Sequence, residues 1–290
     1  MVTESARAKI NLYLDVTRKR PDGYHELESV MQTLSLADTV TLEKADAVSL
    51  TCDDLSLPTD RRNLAVRAAE TFFAATGING GAEIHLCKRI PVAAGLAGGS
   101  ADAAAVLRGL NRLYAAKLTD ELLCTIAAKL GADVPFCVTG GSMLTEGIGD
   151  RMTPVCPLPD CRIVVAKGKT GIVTASAYAA LDSKFGEFIG REPRGIQSFL
   201  SRLQTGDIDT ISSEMYNIFE EVVPPESGEV FDLKRRLLDT GAVAAMMSGS
   251  GPSVFGIFRD GETAGRAAEE FHRDGIFAEV CRPEASGKAG

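Results

Sequence analysis

The sequence predicts an α+β protein of two lobes, with helices segregated from strands rather than strictly alternating with them. Three observations predict it. The chain opens on alternating apolar residues, Ile10, Leu12 and Leu14, followed by a turn and more strand-like sequence; a dinucleotide-binding domain would instead open on a strand, a glycine-rich turn and a helix. Near the middle, Pro154-Val155-Cys156-Pro157-Leu158-Pro159 cannot be a central strand or a helix interior. At 290 residues the chain also reaches the size, about 250 to 300 residues, at which single cores stop growing. These place a first lobe at 1–153, a second at 154–283 and a small-residue, disordered tail at 284–290.

The elements follow in order. Residues 8–16 read as a strand whose other face carries Lys9, Asn11 and Tyr13, a face that taken alone suits contact with water. Arg20-Pro21-Asp22-Gly23 signals a turn, 24–36 a second strand, and 39–43 and 47–52 two shorter ones. Asn63 is placed to N-cap a helix running to Thr76 and stopped by Gly77, with Leu64, Ala68, Phe72 and Phe73 inward. A strand at 82–87 precedes a glycine-rich stretch and its helix. Thr119, followed by Asp120 and Glu121, starts another helix with Leu122, Leu123, Ile126 and Leu130 as its apolar stripe. A strand at 142–146 completes the first lobe. The second lobe reads as a strand at 161–166, helices at 174–181 and 196–203, and a segment from Phe219 ended by Pro224-Pro225. Next come a helix at 227–238 with Val230, Phe231, Leu237 and Leu238 apolar, and strands at 243–247 and 253–258 around Ser248-Gly249-Ser250-Gly251-Pro252. A helix at 262–271 and a strand at 277–280 close the lobe.

Composition excludes several classes of function. A net charge of −8 gives no general attraction to nucleic acid or anionic membrane, and the basic clusters Arg18-Lys19-Arg20, Arg61-Arg62 and Lys88-Arg89 are short. Seven cysteines without a C-x2-C pair argue against a disulfide framework or structural zinc and for reduced thiols. Only His25, His85 and His272 are available for a histidine-rich metal site. No apolar run reaches membrane-spanning length and no signal-peptide pattern opens the chain, so a cytoplasmic protein is expected.

The centre of the chain is Pro91-Val92-Ala93-Ala94-Gly95-Leu96-Ala97-Gly98-Gly99-Ser100-Ala101-Asp102, which leads into a helix with Ala103, Val106, Leu107, Leu110 and Tyr114 on one face. Glycines allow a sharp turn and close approach, and the first turn of a helix offers unpaired N–H groups to a phosphate. The stretch is neither a Walker A loop nor a G-x-G-x-x-G turn. Two readings stand on these residues alone: an anion cradle, or a tight loop under close helix packing. Asp133 follows a helix terminus and lies just ahead of Pro135, where it is either a base for an alcohol that accepts a phosphoryl group or a solvated turn residue.

Five motifs decide between these readings by resemblance. Ala8-Lys9-Ile10-Asn11-Leu12, Arg20-Pro21-Asp22-Gly23-Tyr24-His25, the glycine stretch, Gly131-Ala132-Asp133-Val134-Pro135-Phe136 and Ser248-Gly249-Ser250-Gly251-Pro252 occur in the order seen in the GHMP kinase superfamily, whose members phosphorylate small-molecule alcohols. The resemblance covers roughly residues 6–282. Asp22-Gly23-Tyr24-His25 resembles the branch that acts on 4-CDP-2-C-methyl-D-erythritol in non-mevalonate isoprenoid synthesis. It implies a ribosomal-protein-S5-like first lobe, a ferredoxin-like second lobe, ATP with Mg²⁺ as phosphoryl donor, and a monomer or weak homodimer. Lys9 and Asp133 would be catalytic. Asn63 and the stretch Pro91, Val92, Ala93, Ala94, Gly95, Leu96, Ala97, Gly98, Gly99, Ser100, Ala101 and Asp102 would bind ATP. Asn11, Tyr24, His25, Tyr178 and Ser250 would bind the acceptor, with His25 on the cytosine edge and Tyr178 stacked on its face. Ala94 departs from the family pattern, which often has glycine there. The magnesium ligands stay unassigned: Ser100 is a candidate, and Glu70 only if it lies close enough. A kinase for another alcohol, such as homoserine or mevalonate, and a noncatalytic nucleotide-binding protein remain the alternatives.

Overall fold

The computed structural model describes residues 1–186, 195–223 and 228–285. The first lobe is built on a long antiparallel hairpin, β1 (Val2–Lys19) and β2 (His25–Ala45). Sequence reading split β2 at Ala37-Asp38; the strand runs through because its first half pairs with β5 (Ser142–Gly147) and its second half with β4 (Gly81–Cys87). β3 (Ser49–Cys52) flanks β4, and β6 (Arg151–Pro154) flanks β5 at the edge where the prolines begin. Helices α1 (Leu64–Thr76), α2 (Gly98–Leu113), α3 (Asp120–Ala127) and α4 (Val134–Thr139) pack with this sheet. Their local signals hold. The Asn63 side chain accepts from the Ala65 N–H, Gly77 closes α1 in the left-handed conformation, and Thr119 accepts from the Leu122 N–H. Leu122, expected in the stripe of α3, is exposed instead, because α3 spans only eight residues and turns one narrow face to α4.

In the second lobe, β7 (Arg162–Lys167), β9 (Ala244–Met247), β10 (Val254–Phe258) and β11 (Phe277–Cys281) form an antiparallel sheet in the order β11-β7-β10-β9. Helices α5 (Thr174–Phe185), α6 (Ile196–Leu203), α7 (Ile208–Ser212) and α8 (Glu229–Asp239) lie in sequence between β7 and β9, and α9 (Gly261–Arg273) between β10 and β11. This βαββαβ path with outer strands second and fourth is the ferredoxin-like arrangement. Val230, Leu233 and Leu237 form the buried face of α8; Phe231 and Leu238, expected there, fall off that 3.6-residue stripe and are exposed. Pro224-Pro225 and Ser227 lie outside the described residues.

Strand-like backbone pairing is among the contacts that tie the lobes together. A two-residue strand, β8 (Tyr216–Asn217), pairs in parallel with Tyr13 and Leu14 of β1 and runs into a 3-10 turn at Ile218–Val222. Leu14 and Val16 accordingly belong to the second lobe's core rather than the first. After β11 the chain returns to β2: Ser35 donates to the Arg282 carbonyl and Glu284 to the Thr33 carbonyl, at 3.0 and 2.9 Å. Glu284, expected in a disordered tail, is therefore hydrogen-bonded to β2 of the first sheet, while 286–290 lie outside the described residues.

Candidate active site

The polar face of β1 is not turned to water. Lys9, Asn11 and Tyr13 are 5%, 3% and 1% exposed: the serine-rich β9–β10 loop approaches Lys9 and Asn11, and the rings of Phe199 and Tyr216 pack on Tyr13. Register shifts between Arg7 and Lys9 and between Asn11 and Tyr13 interrupt the ladder, and such irregularities re-aim side chains. A buried ammonium needs partners. Lys9 Nζ donates to Asn11 Oδ1 at 2.7 Å, Asn11 Nδ2 to Ser29 Oγ at 2.8 Å, and Ser29 Oγ to the Tyr13 carbonyl at 2.7 Å. This chain fixes the Asn11 amide with its oxygen toward the lysine. Ser29 carried no motif signal, and only its cross-strand position reveals it.

Lys9 and Asn11 open into a cleft of about 490 Å³ between the lobes. Its walls include Asn63, the loop residues Pro91, Val92, Ala93, Ala94, Gly95 and Ala97, the first turn of α2 at Gly98, Gly99, Ser100 and Asp102, and Asp133, Tyr178 and Ser250. Leu96 and Ala101 are buried behind the wall; the Leu96 carbonyl instead accepts the backbone N–H of Lys9 at 3.2 Å. Tyr24 is 63% exposed and outside the cleft, and His25 stands behind Tyr178, their ring centroids 4.7 Å apart. That packing occupies a face of Tyr178.

The glycine stretch adopts a different conformation from the one its composition suggests. Of its three glycines only Gly95 has positive φ, at 73°; Gly98 and Gly99 begin α2, and the other left-handed residues are Ala93 at 50° and Ala97 at 57°. Non-glycine residues in that region carry strain and are held there by their surroundings. Here the second lobe does so: Ser253 N–H donates to the Ala94 carbonyl at 3.3 Å and Ser248 Oγ to the Gly95 carbonyl at 3.0 Å. Asn217 in turn holds the serine loop through the Met247 and Gly249 carbonyls, each at 2.8 Å. Gly249 has φ of 58°, and a Cβ there would lie 3.5 Å from Lys9 Nζ.

Asp133 is the residue before α4 and makes no capping hydrogen bond, so its carboxylate is left for the cleft. Lys9 and Asp133 form no ion pair with each other. Electrostatics nonetheless put them in one neighbourhood. The Cys137 thiol is pushed up by burial and by Asp133, with Lys9 pulling the other way, and the Tyr178 phenol is pushed up to about 12 by burial and by Asp133. Beneath the loop, Lys88 bridges the buried carboxylates of Asp38 and Asp102, 2.5 Å from Asp102 Oδ2. Burial pushes the Asp102 carboxyl up, Lys88 opposes this and Asp38 adds to it; Asp102 Oδ1 is buried without a partner. Glu70 is paired with Arg61 at 2.7 Å on α1 and lies outside the cleft.

A helix N-terminus under a tight loop, with a lysine and a carboxylate of the same lobe lining one cleft, is an arrangement suited to a small-molecule phosphotransferase. GHMP kinase N-terminal and C-terminal domain models match residues 63–141 and 199–276. A 4-diphosphocytidyl-2-C-methyl-D-erythritol kinase from Alkaliphilus metalliredigens is 43% identical over 88% of this chain and 87% of its own length. The Bacillus subtilis protein of that name is 42% identical over 88% of each. A crystal structure of 4-(cytidine 5'-diphospho)-2C-methyl-D-erythritol kinase superposes with a TM-score of 0.81 at 35% identity, covering 97% of this chain and 99% of the other. The chain belongs to the 4-diphosphocytidyl-2-C-methyl-D-erythritol kinase family of the GHMP kinases. Among the described residues no helix is long and apolar enough to cross a membrane.

Proposed function

We propose that this chain transfers the γ-phosphoryl group of ATP to the C2 hydroxyl of 4-CDP-2-C-methyl-D-erythritol, giving the 2-phosphate. The observation that carries the reading is the convergence of Lys9, Asp133 and the loop–helix junction at Gly95–Gly99 on one cleft. Phosphoryl transfer asks chiefly for positioning and charge stabilisation. The unpaired N–H groups of the first turn of α2 hold the phosphates, at the positive end of the helix dipole. Asp133 takes the proton of the attacking hydroxyl, and the Lys9 ammonium, held by Asn11, stabilises the charge that develops on the transferred group. Tyr178 and His25 serve the nucleobase end.

Among the described residues no cluster of three His, Cys, Asp or Glu side chains is set to hold a metal. The site fits a magnesium ion bound mainly by phosphate oxygens and water, as this ion prefers. Ser100 and the orphaned Oδ1 of Asp102 would hold it, and it would neutralise phosphate charge.

The test is steady-state phosphorylation of 4-CDP-2-C-methyl-D-erythritol beside its uncytidylated precursor, 2-C-methyl-D-erythritol 4-phosphate. Turnover of the first with little of the second is expected; equal use of both would remove the nucleobase end from the reading.

A further inference from the structure

β4 leaves the first sheet at Cys87, the last residue it pairs with β2, opposite Thr39. The backbone N–H groups that follow, on the way into the glycine-rich stretch, lie beyond that pairing. One residue before Thr39 stands Asp38, fully buried, and its Oδ1 accepts from the N–H groups of Arg89 and Ile90 at 2.5 and 2.8 Å. A side chain of β2 thus meets the donors that backbone pairing leaves. The second oxygen, Oδ2, accepts from Lys88 Nζ, which also donates to Asp102 Oδ2 near the start of α2 at 2.5 Å. Asp38 therefore holds the entry to the stretch directly and its exit through Lys88.

Such a cluster is costly to bury. Two carboxylates share one ammonium, and the side chains of Asp38, Asp102 and Lys88 are 0%, 4% and 8% exposed; replacing buried charges by apolar groups is often neutral for stability. What the cluster supplies is direction, since each bond sets one donor against one oxygen. The stretch needs it: Ala93 and Ala97 lie in the left-handed region, and strained backbone persists only where its surroundings over-determine it. The second lobe holds the middle, at Ala94 and Gly95. Asp38 supplies the matching hold at the two ends. A Cβ on Gly98, the first residue of α2, would lie 3.1 Å from the Ile90 side chain and 3.7 Å from Lys88 Nζ, so the anchor sits against the helix start. Asp38 itself is outside the cleft, whereas Lys88, Ile90 and Asp102 line it.

We propose that Asp38 is a positioning residue for the nucleotide: it fixes the end of β4 against the start of α2, and with it the set of loop and helix N–H groups offered to the phosphates. The inference rests on the functional reading above, which puts ATP on this stretch. Its effect falls on the phosphoryl donor alone, because among the described residues no hydrogen bond joins the cluster to Lys9, Asn11 or Asp133.

Steady-state kinetics and isothermal titration calorimetry on the full chain test it, with urea melts to establish that each variant is folded. Asp38→Asn keeps an oxygen for Arg89 and Ile90 but turns an amide donor toward Lys88. KM and Kd for ATP are expected to rise about tenfold, as loss of a charged hydrogen bond predicts, with kcat at saturating ATP and the KM for 4-CDP-2-C-methyl-D-erythritol unchanged. Lys88→Met breaks the same link, so the double variant should bind ATP no more weakly than the weaker single one. In the wild type, the Arg89 and Ile90 amides should exchange with solvent slowly before any nucleotide is added, a readout that needs no variant. Wild-type ATP affinity in folded Asp38→Asn, or an equal rise in both KM values, overturns the proposal and leaves the functional reading standing. So do additive losses in the double variant, or fast exchange at both amides. A wild type that neither binds ATP nor phosphorylates the acceptor overturns both.

Discussion

Ser248 Oγ and the Gly95 carbonyl are joined by a 3.0 Å hydrogen bond that fastens the serine loop of one lobe to the glycine-rich loop of the other. The approach is close enough to exclude any side chain. A Cβ on Gly95 would lie 2.2 Å from the Ser248 carbonyl oxygen, and the backbone there has φ of 73°. Gly95→Ala therefore adds about 1 to 2 kcal/mol of left-handed strain to a clash with rigid backbone. It is expected to weaken ATP binding at least tenfold, about 1.4 kcal/mol, by isothermal titration calorimetry. Wild-type affinity in that variant would show that the loop is not a phosphate cradle.

Lys9 is buried and bonded to Asn11, a placement suited to stabilising charge rather than to holding a nucleotide at a distance. Lys9→Met is expected to lower kcat by about 100-fold or more while changing the KM for ATP little. Asp133→Asn should lower kcat by about 10² to 10⁴-fold if the carboxylate accepts the hydroxyl proton. Coupled-assay kinetics separate the cases: near-normal turnover of the Asn variant would remove the base, and a parallel rise in the ATP KM would make Lys9 a binding residue.

Asp15 of β1 gives a pH dependence that is independent of catalysis. Burial pushes its carboxyl from an ordinary 3.8 to about 6; the Val16 N–H opposes the rise, and Glu28 and Glu221 add to it. Between those two values the native state keeps a proton that the unfolded chain has released. Stability thus falls as pH rises through the window and levels off above it. Asp15→Asn preserves the acceptor for Val16 and removes the charge. After discounting for partial exposure, it should stabilise by about 1 to 2 kcal/mol at pH 7.5 and by nothing near pH 4, read from thermal melts at both values.

Arg108 of α2 is buried among three elements that each carry part of the site. It donates to the Cys137 carbonyl of α4 at 2.6 Å and to the Ser5 carbonyl of β1 at 2.9 Å, and pairs with Glu4 at 3.3 Å. Arg108→Met removes a donor from both carbonyls and leaves Glu4 with Arg112 alone, at an expected loss of about 3 to 5 kcal/mol by urea titration. Because α4 begins beside Asp133, the surviving folded enzyme should lose kcat more than substrate affinity. An unchanged urea midpoint would show that the network contributes no net stability.

Much of this was legible in the sequence because it is written locally. Asn63 and Gly77 bracket α1, Thr119 starts α3, and the Ser248–Pro252 turn joins two short strands, each signal lying within a few residues of what it specifies. What covers a surface is not local. Alternation along β1 marks Lys9, Asn11 and Tyr13 as polar-faced but cannot reveal that β8, some 200 positions later, pairs beside them. Two residues are too few for a periodic signal. The same limit hid Ser29 and Asn217, whose importance rests on partners distant in sequence. In the glycine stretch, composition favoured the wrong positions: tertiary contacts hold two alanines in the left-handed region while two glycines lie in ordinary helix.

β1 pairs with strands on either side and contributes Leu14 and Val16 to the far core, so the halves of the molecule share a spine. They cannot swing open like jaws without tearing that ladder. Admission and release are then expected at the rim of the cleft, where Leu57, Pro58 and Arg62 lie ahead of α1. Scattering profiles with and without nucleotide should accordingly give the same radius of gyration.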